Sequence, residues 1–264
     1  MIAPAEARQR WRLVYARSES APHLAQPDQQ SAWEAALLAS GLPVVGQDLE
    51  PPRPRIAFAA PLGVGLPAER ELADLFLAER LPVAGVREAL EATLPEGHRL
   101  VELHDVWLGE AALPGQVVAA DYRAAVRVVG GESPVGRESP VGREAPIGRE
   151  APVGASGVVA EAARRLLTAS SLPRTRDKGG QRVAYDLRPL LADISVIEVP
   201  GSTPDDLAVP AASERNLVQL RIRVRYDPER GVGRPEEVLA ALAAIAGVEL
   251  AFEALVRERV ILAR

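Results

Sequence analysis

The sequence predicts an α+β protein built from two tandem ferredoxin-like domains, at residues 8–115 and 116–264, each with the element order βαββαβ. Three observations lead to this prediction. Apolar residues change between the period-2 spacing of strands and the spacing of amphipathic helices in this order along both halves. The hydrophobic fraction, 47% of 264 residues, is sufficient for two buried cores. A proline- and glycine-rich repeat interrupts the pattern inside the second half.

The first domain begins with a strand and a helix. We expect the strand to be half-buried, because apolar residues alternate with others along it: Trp11, Leu13 and Tyr15 against Arg10, Arg12 and Val14. Pro27-Asp28 opens the helix, which ends before Gly41 and Pro43. Two strands, a second helix and a fourth strand follow, with apolar positions at Ile56, Phe58 and Leu62; Leu72, Leu75 and Leu77; Val86, Leu90 and Leu94; and Leu100, Val101, Leu103, Val106 and Trp107.

The second domain repeats a similar order. Gly179-Gly180 is typical of a tight turn between two strands of a hairpin. A loop is expected at 200–215, which is rich in Pro, Ser and Asp. The predicted elements are strands at 122–129, 172–176, 183–187, 194–199 and 217–226, helices at 158–169 and 235–245, and one or two strands within 248–263.

Four copies of a six-residue unit occupy residues 132–155, reading ESPVGR, ESPVGR, EAPIGR and EAPVGA. Proline and glycine in every unit interrupt the hydrogen bonding of helices and sheets alike. Four short units are too few for the stacked turns of a β-helix, and collagen requires glycine at every third position. We therefore expect a disordered, flexible insert at 130–156. The alternative is a docking element, because arginine and glutamate recur in register.

The composition excludes several kinds of chemistry. There is no cysteine, which excludes disulfides, thiolate zinc sites, a cysteine nucleophile and a cysteine-ligated iron–sulfur cluster. The 3 histidines are scattered and lack the spacing of metal ligands, so neither a metal nor another cofactor is expected. With 31 basic and 36 acidic residues, the net charge of −5 argues against a global attraction to nucleic acid but leaves a local basic surface open.

Targeting signals are not expected. Residues 1–17 carry several charged side chains and lack the apolar centre of a secretory signal. No run approaches the roughly 18 uninterrupted apolar residues that a transmembrane helix requires. These observations favour a cytoplasmic protein that has no contact with a membrane.

A basic segment surrounds the Gly179-Gly180 turn. Lys178 is the only lysine among 31 basic residues, and three arginines accompany it: Arg174, Arg176 and Arg182. A basic hairpin tip is suited to the phosphates of a nucleic acid. The alternative is an ordinary solvated turn.

Two further pairs are candidates for binding anions. Arg188 is suited to a bidentate contact with a phosphate or carboxylate, oriented by Asp186. The alternative for this pair is a structural ion pair at the end of a strand, which Pro189 terminates. Arg53 and Arg55 stand between prolines, in a stiff loop that presents two cations or is simply solvated.

Three arginines share one face of the strand at 217–226: Arg221, Arg223 and Arg225. Like charges at this spacing repel each other unless they meet acidic neighbours or an anionic ligand. RNA on this face is one interpretation. The other is pairing with acidic residues of the terminal strands, namely Glu249, Glu253 and Glu258.

Short motifs in both halves carry a family resemblance. In the first half they are WEAAL at 33–37 with GLP at 41–43, and PRIAF at 54–58 with PLGVG at 61–65. In the second half they are KG at 178–179, DLRPL at 186–190 and RPEEVL at 234–239. In their order and spacing these motifs resemble the family known as DUF2344, whose members are encoded beside, or fused to, a B12-binding-type radical SAM protein.

The first domain departs from the family pattern. The family has a Ser-His-x-Asp segment at the start of its first helix, whereas residues 25–28 here read AQPD, so that only Asp28 is retained. The basic residues typical of the end of the first strand and its following loop are replaced by Ser18, Glu19 and Ser20. If relatives bind an anion or an RNA backbone there, this capacity is expected to be weakened in this chain.

The resemblance implies a non-catalytic partner of a separately encoded radical SAM protein, which assists recognition of an RNA or ribonucleoprotein substrate. The absence of cysteine assigns the cluster chemistry to that partner. Two alternatives are open. One is a metal-independent RNA-processing or modifying enzyme that uses Asp and Arg side chains, and the other is an assembly scaffold that binds no nucleic acid.

Overall fold

A computed structural model describes residues 5–129, 154–178, 180–197 and 216–263, except for the side chains of residues 176–178. The predicted insert at 130–156 lies outside these residues apart from its last three, and Ala155 and Ser156 already belong to a helix. The predicted loop at 200–215 also lies outside the described residues.

The described residues form a mixed α+β fold with a large, mostly antiparallel sheet. No helix among them is long and apolar enough to cross a membrane. The helices are α1 (Gln26–Ala39), α2 (Val83–Glu91), α3 (Leu113–Gln116), α4 (Ala155–Thr168) and α5 (Pro235–Ala246), with a 3-10 helix at Arg188–Leu190. The strands are β1 (Gln9–Arg17), β2 (Ile56–Phe58), β3 (Ala68–Leu77), β4 (His98–Val106), β5 (Val117–Val129), β6 (Pro173–Lys178), β7 (Gln181–Asp186), β8 (Leu191–Val196), β9 (Leu217–Asp227), β10 (Gly231–Val232) and β11 (Glu249–Leu262).

The chain divides into two compact units. Unit 1 contains Met1–Tyr122 together with Leu255–Arg264, and unit 2 contains Arg123–Ala254. Both β5 and β11 therefore contribute residues to each unit.

Unit 1 has the element order that the sequence predicts for the first half: β1, α1, β2, β3, α2, β4. Its strands lie in the order β4-β1-β3-β2, and each neighbouring pair is antiparallel. Leu13 of β1 lies opposite Ala73 of β3 and Leu103 of β4. The last strand, β11, joins β3 by a parallel bridge between Arg257 and Ala68.

The core of unit 1 forms where α1 and α2 pack on this sheet. Trp33 and Leu37 of α1 are four residues apart and therefore share one helix face, as do Val86 and Leu90 of α2. All four are buried with apolar residues of the sheet. The Trp33 ring meets the Tyr15 ring edge to face, with 4.8 Å between their centroids.

The prediction that β1 is half-buried is wrong. Arg10 and Val14 are 2% and 4% exposed, so both faces of the strand are covered. The alternation of charged and apolar residues gives no signal of this second burial. Arg10 is tolerated there because Asp74 lies within hydrogen-bond distance and offsets part of the cost of removing its charge from water.

Several elements of unit 1 end earlier than predicted. β2 ends at Phe58 and does not include Leu62, and α2 ends at Glu91, before Leu94. Trp107 follows the end of β4 and is 77% exposed, although the sequence places it in the strand.

In unit 2, the sheet order is β10-β9-β5, and β8 also pairs with β9. β6 and β7 form a separate two-stranded sheet in which Lys178 lies opposite Gln181. This pairing confirms the predicted hairpin with its connection at 179–180. The two strands of this hairpin are therefore not part of the large sheet. Its next strand begins at Leu191, earlier than the predicted start at 194.

The core of unit 2 follows the predicted alternation in β9. Its inward residues are fully buried with one face each of α4 and α5: Val218, Leu220, Ile222 and Val224, with Val159, Leu166, Val238 and Leu242. The arginines at 221, 223 and 225 occupy the other face of the strand. Arg225 donates to the carbonyl of Pro189, and Glu253 binds Arg127 at 2.7 Å.

Candidate functional site

The basic hairpin, residues 173–186, carries five of the predicted site residues, four of them basic. Arg182 of β7 is exposed and lies opposite Asp177 in the register. Arg174 of β6 lies opposite Tyr185, and its Nε is buried without a hydrogen-bond partner in the described part of the chain. Arg176 and Lys178 belong to β6, but their side chains lie outside the described residues.

The hairpin is locally positive in a chain of net charge −5. Its four basic side chains accompany only two acidic ones, Asp177 and Asp186. Asp177 lies opposite Arg182 across the strands, and Asp186 accepts hydrogen bonds from two backbone N–H groups. The excess of cations is therefore concentrated toward the turn.

Asp186 closes the base of the hairpin. Its Oδ1 accepts hydrogen bonds from the backbone N–H of Leu172, at 2.7 Å, and of Arg188, at 3.0 Å. The Leu172 bond is the main cause, with the Arg188 bond, of a pKa of Asp186 below its usual value. The carboxylate thus links the residue before β6 to the first residue of the 3-10 helix that follows β7.

Arg188 binds backbone carbonyls. Its Nη1 donates to the carbonyl of Leu191 at 2.9 Å, and its Nη2 donates to that of Leu167 at 2.7 Å. Leu167 lies in the last turn of α4, where the carbonyls lack partners within the helix. Both terminal nitrogens therefore tie the 3-10 helix to α4 and β8. This geometry agrees with a structural role for the Asp186–Arg188 segment.

The remaining predicted residues lie in unit 1. Arg53 is exposed, and its backbone N–H donates to the carbonyl of Gly46 at 2.9 Å. The guanidinium of Arg55 lies over the ring of Phe76, 3.9 Å from the centroid, in a cation–π contact. Asp28 is exposed in the first turn of α1, where its charge suits the helix dipole. These three are not part of the basic hairpin.

Unit 1 contains a buried charge cluster that was not among the residues predicted from the sequence. Asp74, in the middle of β3, is fully buried and accepts from Nε of Arg10 at 2.9 Å and from Nε of Arg12 at 2.8 Å. Arg10 also donates to the carbonyls of Glu110 and Ala111. One local feature of the sequence indicates this cluster: Asp74 stands between two apolar residues of a strand, and a buried aspartate requires a cationic partner.

A second buried pair joins β11 to β3. Arg257 donates from Nε to Glu71 Oε1 at 2.5 Å and from Nη2 to Glu71 Oε2, so the contact is bidentate. Its Nη1 donates to the carbonyl of Pro61 at 2.9 Å. Both side chains are 1% exposed.

These clusters consist of groups that satisfy one another. No set of three or more His, Asp or Glu side chains suited to a metal ion occurs within the described ranges. The basic hairpin carries four basic and two acidic residues, the exposed Arg182 among them, and it is the candidate site.

Comparisons with known proteins concern the family and the fold. No curated protein matches the chain. A chain in the crystal structure of a Cbf5-Nop10-Gar1 complex resembles this one with a TM-score of 0.47 and 9% identity, over 94% of this chain and 49% of that one. This chain therefore spans about half the length of that relative. An unknown protein from Galdieria sulphuraria gives a TM-score of 0.22 and 13% identity, over 93% and 97% of the two chains.

The family model described as an uncharacterized protein conserved in bacteria, DUF2344, matches residues 10–221. The match includes both halves of the predicted motif set up to DLRPL at 186–190. It spans well over half of the 264 residues. The chain belongs to the DUF2344 family.

Proposed function

We propose that this chain is a cytoplasmic, non-catalytic partner of a separately encoded B12-binding-type radical SAM protein, and that it helps this partner to recognise an RNA or ribonucleoprotein substrate. The basic hairpin is the surface that contacts the RNA backbone. The observation that carries the proposal is the hairpin itself, a two-stranded sheet separate from the large one and enriched in cations.

The arrangement of the hairpin supports contact with phosphates. Arg182 is exposed, and basic side chains on a two-stranded hairpin are suited to contact with the phosphates of a nucleic-acid backbone. Asp186 and Arg188 hold the base of the hairpin in place through backbone hydrogen bonds. We therefore assign them a positioning role, and assign contact with RNA to Arg174, Arg176, Lys178 and Arg182.

The partner in this proposal supplies the redox chemistry. The chain has no cysteine, so ligands for a cysteine-bound iron–sulfur cluster have to come from another protein. Within each charged cluster of unit 1, the arginines bind a carboxylate and backbone carbonyls, as expected for groups that stabilise the fold. The family resemblance supplies the class of the partner.

Binding of a labelled oligouridylate tests the RNA contact. Fluorescence anisotropy over a range of salt concentrations is expected to show affinity that falls as salt rises, with a slope of about 0.7 per phosphate contact for a single strand. The double substitution Lys178→Gln/Arg182→Gln is expected to weaken binding and to lower the slope by about 1.4.

A matched control removes the same charge elsewhere in unit 2. Arg164 and Arg165 of α4 are 72% and 63% exposed, and Arg164→Gln/Arg165→Gln is expected to leave the affinity near that of the unsubstituted chain. Equal losses in the two double variants would contradict the hairpin as the site. The absence of RNA binding favours an assembly scaffold, and turnover of RNA by the purified chain alone favours an RNA-processing or modifying enzyme.

Co-purification from the native host tests the partner. The tagged full chain is expected to recover a radical SAM protein together with RNA. Recovery of RNA without such a protein would overturn the partnership while leaving the hairpin contact standing.

The strand orders support a finer description of the fold. We infer that each unit is a variant of the ferredoxin-like fold, because unit 1 has the antiparallel order β4-β1-β3-β2. Unit 2 has the comparable set β8, β9 and β5 with helices α4 and α5 between strands. In this description the basic hairpin is an addition to the second domain.

A further inference from the structure

A cavity of about 420 Å³ lies in unit 1 between α1 and the segment that joins α2 to β4. Four alanines of α1 line it with their methyl groups: Ala32, Ala35, Ala36 and Ala39. Ala35 and Ala39 are exposed, so the cavity opens to solvent along this side. The ring of Trp33, 2% exposed, lines it as well. Its volume lies in the range of small-molecule sites.

Arg17, the last residue of β1, also lines the cavity and is only 3% exposed. Its Nε donates to the carbonyl of Leu66 at 2.9 Å, and its Nη2 donates to the carbonyls of Gly63 and Leu66. Its Nη1 is buried and has no hydrogen-bond partner within the described residues. These contacts are all to neutral carbonyls.

A buried guanidinium without a bound carboxylate is costly. Burial is the main cause of a pKa of Arg17 below its usual value. Glu71 attracts Arg17 at longer range, but the two carboxylate oxygens of Glu71 are bound by Arg257. An anion in the cavity would supply the missing counter-charge.

The other polar groups of the cavity limit the charge and size of the ligand's polar group. Burial lowers the pKa of His98, so its imidazole is neutral at neutral pH and adds no second cation. The hydroxyl of Thr93 donates to the carbonyl of Ala89, and Nε2 of Gln29 donates to that of Leu24. Glu96 is exposed. With one free cationic donor, the site suits a carboxylate, whereas a phosphate dianion would lack donors for its additional oxygens.

We propose that this cavity binds a small carboxylic acid, whose carboxylate contacts Arg17 and whose apolar body packs against the alanine face of α1 and the ring of Trp33. The site lies in unit 1 and is independent of the basic hairpin.

Octanoate is a suitable probe, with octanol and octylammonium as ligands of the same apolar length. Isothermal titration of the full chain is expected to show octanoate binding at least about tenfold more tightly than octanol, because a hydrogen bond to a charged group contributes that much. Octylammonium is expected to bind more weakly still, because its charge repels Arg17. Equal affinities for octanoate and octanol would overturn the proposal, as would the absence of saturable octanoate binding.

Two variants distinguish the cavity from the rest of the surface. Ala36→Leu places a larger side chain in the cavity while Arg17 is retained, and is expected to lower octanoate affinity at least about tenfold. Ala243→Leu on α5, a half-buried helical alanine of unit 2, is the matched control and is expected to leave the affinity unchanged. Arg17→Gln is expected to abolish the preference for octanoate over octanol. If Arg17→Gln fails to fold, Ala36→Leu still decides, because unchanged octanoate affinity in that variant overturns the proposal.

Discussion

Replacing Arg257 with methionine removes the cation from the buried pair that joins β11 to β3. Glu71 is 1% exposed, and both of its oxygens accept from Arg257. The substitution therefore leaves a buried carboxylate without its partner and takes the donor from the carbonyl of Pro61. Breaking a buried pair in this way is expected to lower the free energy of unfolding by about 3–5 kcal/mol.

A double-substitution cycle tests the cause of this loss. Glu71→Leu/Arg257→Met removes both charges and leaves the Pro61 carbonyl without its donor, so it is expected to cost about 1–3 kcal/mol, less than Arg257→Met alone. Urea unfolding followed by tryptophan fluorescence reports on unit 1, which contains all 3 tryptophans. Arg70→Met is the control, because the Arg70–Glu102 pair is 45% and 40% exposed and contributes about 0–1 kcal/mol. The reasoning fails if Arg257→Met costs no more than Arg70→Met, or if the double variant is less stable than the single one.

Three further predictions concern stability. Gly97→Ala is expected to lower the thermal stability more than Gly247→Ala does. At both positions φ is positive, so that a side chain costs about 1 kcal/mol in either variant. A Cβ at Gly97 would also lie 2.5 Å from Ala21, whereas a Cβ at Gly247 would have nothing within 4 Å. Burial lowers the pKa of His98, so as the pH falls below 6.5 the unfolded chain binds a proton before the folded chain does. The free energy of unfolding is therefore expected to fall as the pH decreases from 6.5 to the pKa of His98 in the folded chain. His98→Phe is expected to flatten this part of the curve of unfolding free energy against pH. Arg188→Met leaves the carbonyls of Leu167 and Leu191 without its donors and is expected to cost about 1–3 kcal/mol in denaturant unfolding followed by circular dichroism, whereas an unchanged midpoint would contradict its positioning role.

The fold could be predicted where periodicity is strong. The buried residues of β9 and the helix faces of α1 and α2 follow directly from the spacing of apolar residues. β1 could not be predicted in the same way, because its second face is buried by a charged residue, Arg10, whose partner Asp74 lies 64 positions away in the sequence. Pairing over such a distance leaves no local pattern.

The candidate site shows the same limit. The Gly179-Gly180 turn and its flanking cations are local features, and the hairpin lies where they predict it. The role of Arg188 depends on carbonyls of Leu167 and Leu191, and no spacing rule distinguishes that contact from a ligand contact. Arg17 could not be predicted as a site residue from the sequence. That its guanidinium is buried without a carboxylate partner follows only from the positions of the groups around it.

The placement of β11 has a consequence for biosynthesis. Unit 1 is completed by residues 255–262, which leave the ribosome only after all of unit 2 has been made. Until then, Glu71 lacks the guanidinium that neutralises it, and the edge of β3 at Ala68 lacks its bridge to Arg257. The first half of the chain is therefore expected to wait in an incomplete state during translation, and a fragment cut at residue 122 would retain that defect permanently.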